Sequence, residues 1–178
     1  MLQPNWGNLL QTVEDDVLIA QSMAEAIDAG RIVPSMLGTN VTIEDIPGGK
    51  IIPVTRGRPI SSEDLKSWGR NVQTAILSMW ILMVDQALED KHSTNRLQDT
   101  NQERGGVRCV IYQMRCAVAH TSYAPRWAVS SGFQRAFTVS GLKSGPLTLD
   151  FFQLNGQPFK PSQFGGWHRI IELLRFEL

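Results

Sequence analysis

Residues 62–91, SEDLKSWGRNVQTAILSMWILMVDQALEDK, decide the fold class. Ser62 is placed to cap a helix, and Glu63 and Asp64 fall in its first turn, where the helix dipole favours negative charge. Leu65, Trp68, Val72, Ile76, Met79, Trp80, Met83 and Ala87 then recur at helical spacing as far as Lys91. Ile81, Leu82, Val84 and Leu88 widen this stripe in its second half, and so wide an apolar belt needs more than one neighbour. A long central helix with several partners predicts a helical bundle.

The flanking segments supply the partners. Leu9, Leu10, Val13, Val17, Ile19, Ala20, Met23 and Ile27 predict a first helix over 8–29, stopped at Gly30. Between the two helices, VTIEDIPGGKIIPVTRG (41–57) places two β-branched runs around Pro47, Gly48 and Gly49 and predicts a hairpin. No G-K-[ST] or G-x-G-x-x-G pattern surrounds those glycines, so they read as turn residues and not as a phosphate loop. After the polar connection HSTNRLQDTNQE (92–103), Val107, Val110, Ile111, Met114 and Val118 mark one face of a third helix that ends around His120. The tail changes character. RAFTVSG (135–141) and GPLTLDFFQLNG (145–156) are rich in strand formers, with turns at 141–146 and at Asn155-Gly156, and GGWHRIIELLRFEL (165–178) returns to helical spacing. With no internal repeat and no linker composition, the expectation is one mainly α domain over 1–178, carrying a hairpin insert at 38–58 and a strand-containing C-terminal extension at 133–178.

Bulk properties narrow the function classes. A single body of 178 residues buries about 68–70% of its unfolded surface and needs no staples. Cys109 and Cys116 are seven residues apart in one helical pattern, about 10 Å, which excludes a disulfide and suits small buried hydrophobes of a reducing compartment. Seventeen basic residues balance seventeen acidic ones, so the whole molecule has no electrostatic reason to wrap a long phosphate backbone, although a local patch suffices for a short one. The start carries no basic segment followed by an apolar one, and the longest apolar run, AILSMWILMV, is far short of the roughly 20 residues of a membrane helix. The expected address is cytoplasmic, with no membrane partner.

Chemistry concentrates in YQMRCAVAHTSYAPRW (112–127). Arginine presents a planar donor fork that matches a phosphate, and histidine exchanges a proton near neutral pH. Phosphodiester cleavage needs both: one group to move protons and one to balance charge on the phosphoryl oxygens. Arg115 and His120 are five residues apart, about 140° around an ideal helix, so they converge only if the last turn loosens. Ala124 before Pro125 is pushed away from helical angles, which favours such an ending. General acid and base are two roles, yet the stretch offers one histidine, so a two-fold related copy is required to supply the other.

RCAVAH at 115–120 resembles the R-x4-6-H motif of the HEPN superfamily (higher eukaryotes and prokaryotes nucleotide-binding domains), at the end of a late bundle helix preceded by a long core helix. The likeness spans roughly 6–30 and 60–125. It implies a HEPN-like helical bundle, a homodimer and, in active branches, a metal-independent ribonuclease of toxin or defence systems; other branches bind nucleotides or mediate protein contacts. Active members commonly carry a polar residue after the arginine, where this chain has Cys116. On that resemblance Arg115 and His120 form the catalytic pair, and the reaction is attack of an RNA 2′-hydroxyl on its phosphate, leaving a 2′,3′-cyclic phosphate. No cofactor and no metal are expected, since no zinc-type Cys/His spacing and no paired carboxylate set is present.

Around the pair, Tyr123, Arg126 and Trp127 either form an ordinary packed turn or offer stacking and phosphate contacts for an unpaired base, and Tyr112 lies at i,i+3 from Arg115, where it can orient the guanidinium. Arg70 and Asp85 are candidate supporting residues; Asp85 interrupts the apolar belt and either lies on a solvated edge or, if it faces the core, requires a partner. His92 and His168 read as surface or structural histidines. Three readings of Arg115 and His120 remain: a catalytic pair acting on RNA, a noncatalytic site for a nucleotide or for an antitoxin or other regulatory protein, and purely structural residues at a helix end.

Overall fold

The computed structural model describes residues 5–37, 40–45, 50–55, 58–92, 94–119 and 124–176, with the backbone alone at 40–45 and 50–55. The elements run α1 (Trp6–Asp28), β1 (Asn40–Asp45), β2 (Lys50–Thr55), α2 (Ser62–Lys91), α3 (Gln102–Ala119), β3 (Ala136–Val139), β4 (Leu147–Asp150), α4 (Phe151–Leu154) and α5 (Trp167–Leu174). The fold is mainly helical, with two small antiparallel two-stranded sheets, β1-β2 and β3-β4. Among the described residues no helix is long and apolar enough to cross a membrane. Two compact units emerge, one of residues 1–16 with 74–178 and one of 17–73.

The smaller unit holds the second half of α1, the β1-β2 hairpin and the start of α2. Val17, Ala20, Ala24 and Ile27 of α1 are buried together with Leu65 of α2. The hairpin runs antiparallel, with Ile43 opposite Ile52 in its centre. Helix α2 begins one residue earlier in its capping than the sequence suggests. Ser61, not Ser62, is the cap: its hydroxyl accepts from the Asp64 amide at 3.1 Å while the Asp64 carboxylate accepts from the Ser61 amide at 3.0 Å. That reciprocal pair satisfies two orphan amide donors, which a cap at Ser62 cannot do with the residues available. Arg58 adds a two-pronged contact to the same carboxylate.

In the larger unit, α3 supplies the centre. Val107, Val110, Ile111, Met114 and Val118 are all 0–1% exposed, so the apolar face read from their spacing is the core. Leu77, Trp80, Ile81, Val84 and Leu88 of α2 and Ile170, Leu173 and Leu174 of α5 are buried in the same unit. The α2 belt is narrower than its composition suggests. Met79 and Leu82 are 43 and 39% exposed, because in this unit α2 is covered on part of its circumference only.

The C-terminal strands pair as Phe137↔Leu149 and Val139↔Leu147 on the buried face, with Thr138 and Thr148 joined outside by a hydroxyl contact of 2.9 Å. Only the first half of the second run is a strand. Asp150 accepts from the Phe152 amide at 3.0 Å and caps the one-turn helix α4, so the 151–154 segment leaves the sheet. Helix α3 reaches β3 at Gly106, where a β-carbon would stand 2.8 Å from the carbonyl oxygen of Thr138. The obstacle is backbone, which cannot step aside as a side chain does. Gly106→Ala gains up to about 1 kcal/mol of helix propensity against an overpacking cost of about 1–3 kcal/mol. We expect a net loss of up to about 2 kcal/mol in urea unfolding; a stabilised variant would show that α3 and β3 can separate freely.

Candidate functional site: an arginine and carboxylate network

Asp85 and Glu89 are one helical turn apart on α2 and present their carboxylates on one side. Asp85 is 5% exposed, and burial first pushes its carboxyl above the usual range, while Arg96 and Arg115 pull it back. Arg96 comes from a short 3-10 turn, Arg96–Gln98, capped by Asn95 through the Leu97 amide. Its Nη1 donates to Asp85 at 3.0 Å, its Nη2 meets Glu89, and its guanidinium carbon stands 3.9 Å from the centre of the Tyr112 ring. Arg115, on the last turns of α3, brings Nε to 3.6 Å from the other Asp85 oxygen, an ion-pair contact too long for a hydrogen bond.

A second cluster continues one turn away. Arg108 is 1% exposed and donates to Asp99 at 3.0 Å, to Glu89 at 3.3 Å, to the Thr94 hydroxyl at 3.3 Å and to the carbonyls of His92 at 2.9 Å and Thr94 at 2.8 Å. Arg104 grips Asp99 with two bonds of 2.8 and 2.6 Å. Glu89 joins the two halves, since it meets both Arg96 and Arg108. Four arginines therefore face three carboxylates. The exposures decide which of the four can meet a ligand: the side chains of Arg108, Arg96 and Arg104 are 1, 13 and 27% exposed, and that of Arg115 is 47% exposed.

The residues expected from the sequence scatter in part. Asp85 faces inward with the partners it needs, and one of them is Arg115. Tyr112 serves Arg96 rather than Arg115: its ring lies under that guanidinium and tilts against Phe133 at 5.2 Å. A hydrogen bond with Cys116 leads the causes that push the Tyr112 phenol above its usual range, so the cysteine after Arg115 has a local role. Cys109 is buried, and desolvation raises its thiol to about 11. Arg126 is exposed and bonds the Gly156 carbonyl at 3.2 Å.

Trp127 is 2% exposed, with Phe151, Phe159 and Phe164 within 5.1–6.0 Å and its indole N–H on Gln163 at 3.0 Å, so its ring belongs to the core and no base can stack on it. Arg70 is exposed and falls in the smaller unit. His120 and Tyr123 lie outside the described residues. The network partners Arg96, Asp99 and Arg104 come from or adjoin the polar 92–103 connection, which has no periodicity to announce them. One signal was available: Asp85 and Glu89 on α2, and Arg104 and Arg108 on α3, are each i,i+4 pairs of opposite sign between helices.

Compared with protein-family models, with curated proteins and with solved structures, the chain matches none. Among the described residues, no group of three or more His, Cys, Asp or Glu side chains is placed to hold a metal ion.

Proposed function

We propose that the chain is a HEPN-like ribonuclease that cleaves single-stranded RNA without a metal, in a site formed between two copies of itself. The observation that carries this reading is the state of Arg115. It is the exposed member of a network whose other arginines are largely covered, and its Nε is drawn to the buried Asp85 carboxylate. A half-exposed guanidinium with one ion-pair contact keeps donors for bracing a phosphate. His120 follows Ala119, the last residue of α3, in the sequence.

In the reaction, one His120 takes the proton of the ribose 2′-hydroxyl as its oxygen bonds to phosphorus. The bond from phosphorus to the 5′-oxygen breaks, and the His120 of the second copy returns a proton to that leaving oxygen. Arg115 balances the charge that builds on the non-bridging oxygens. The products are a 2′,3′-cyclic phosphate and a 5′-hydroxyl. RNA cleavage in the presence of a chelator, with both new ends assigned, tests this directly. Chelator-sensitive cleavage, or ends of another kind, would exclude the mechanism.

A second reading is a noncatalytic nucleotide-binding or protein-interaction member of a toxin-antitoxin or defence module. Two observations favour it: Asp85 already offsets part of the Arg115 charge, and Leu18, Ile19 and Met23 of α1 are 38–58% exposed, an apolar surface suited to a protein partner. Absence of cleavage across varied RNAs, with a stable complex formed through α1, would select it.

A further inference from the structure

A cavity of about 310 Å³ opens in the larger unit between α2, the end of α3 and the chain on either side of α5's start. Its walls are mostly apolar. Leu77 of α2 and Val118 of α3 form one side, and Phe159 and Trp167 form the aromatic side. Arg126 and Lys160, both exposed, stand among the lining residues, and no lining residue among those described is acidic. The size is at the lower end of small-ligand sites, which run from about 300 to 1,000 Å³, so it suits one flat ring system with its sugar and not a folded strand. Phe159 is held rigid from behind, with its ring 5.1 Å from that of Trp127 and 5.5 Å from that of Phe164. An apolar slot with fixed aromatic walls and two cations asks for a ligand that is aromatic and anionic at once.

The cavity also lies on the seam that carries Arg115. Val118 follows Arg115 by three residues, so the two are neighbours on α3. On α2, Ser78 lines the cavity, and Asp85, which holds Arg115, is seven residues on, about 10 Å along the axis. Arg115 and the slot thus share two elements, α2 and α3.

We infer that this cavity is a base subsite, which takes the nucleobase of one single-stranded RNA nucleotide against Phe159 and Trp167 and its phosphate on Arg126 and Lys160. The choice of RNA as the ligand rests on the ribonuclease reading; the demand for an aromatic anion rests on the cavity alone. Base specificity then resides in the 158–167 segment, apart from Arg115.

Titration of the full-length protein with adenosine 3′-monophosphate and uridine 3′-monophosphate, by calorimetry, is the test, with inorganic phosphate and adenosine as single-feature controls. Trp167→Leu is expected to weaken nucleotide binding roughly tenfold, a loss of about 1.4 kcal/mol that lies within the range for one stacked base. Lys160→Gln, at an exposed position that leaves the fold intact, is expected to weaken it and to flatten its dependence on salt. Equal binding by wild type and both variants, or binding of inorganic phosphate as tight as that of the nucleotides, would overturn the subsite. The two proposals fail separately. Cleavage of RNA by a protein that binds neither nucleotide removes the subsite and leaves the ribonuclease, whereas nucleotide binding that depends on Trp167 and Lys160 in a protein that cleaves nothing does the reverse.

Discussion

Arg108→Ala is expected to lower the free energy of unfolding by about 3–5 kcal/mol, the usual cost of removing one partner from a buried charge pair. The guanidinium is 1% exposed and bonds two backbone carbonyls, a hydroxyl and two carboxylates, of which Asp99 is fully covered, so its removal takes donors from a buried acceptor set. For a domain whose total stability is about 5–15 kcal/mol, that is a large fraction. Arg104→Ala should cost less, because its side chain is 27% exposed and Asp99 keeps Arg108.

The two variants separate again in acid. Asp99 is held well below the usual carboxylate range, first by its bonds from Arg104, then by the Asn101 amide and by Arg108. A lowered folded value means that its contribution is present above the unfolded carboxylate value of about 3.9 and is lost as the pH falls towards the folded one. Urea unfolding at pH 7 and pH 3 should therefore show an acid-dependent loss that Arg108→Ala largely retains and Arg104→Ala largely removes. Equal stability of Arg108→Ala and wild type at pH 7 would mean that the network is solvated.

What the sequence discloses follows from periodicity. The stripe Val107, Val110, Ile111, Met114 and Val118 predicts the core face of α3, and each of its members is buried. The start of α3 is hidden, because QERGG (102–106) has no apolar repeat and two glycines; the helix begins there only because Asn101 caps the Arg104 amide at 3.0 Å and Gly106 packs on β3. The same limit governs the site. An aspartate within an apolar belt fits a solvated edge as well as the core position it takes, and its partner Arg96 is presented by a turn with no pattern of its own. Trp127 is a second case. Beside proline and arginine its ring fits a packed turn or a surface platform alike; three phenylalanines from 151–164 enclose it, and those contacts span 24 to 37 positions of sequence.

Arg115→Ala and His120→Ala are each expected to reduce RNA cleavage by about two to three orders of magnitude, the range for losing one charge-stabilising donor or one positioned proton carrier. The variants should be nearly as stable as wild type. Arg115 is 47% exposed, and the carboxylate it leaves, Asp85, keeps its 3.0 Å bond from Arg96. That combination distinguishes catalysis from packing, because a structural arginine on this network, such as Arg108, loses stability when removed. The double variant should be little worse than the poorer single one, since groups acting in one transition state are not additive. Dimer composition supplies the last discrimination. If each cleft uses two copies of both residues, a mixed dimer of wild type and His120→Ala has no complete cleft. Titrating the variant into wild type should then depress activity by more than dilution. A linear fall would place both proton transfers within one protomer, which has a single histidine in 112–127, and the two-copy mechanism would be lost.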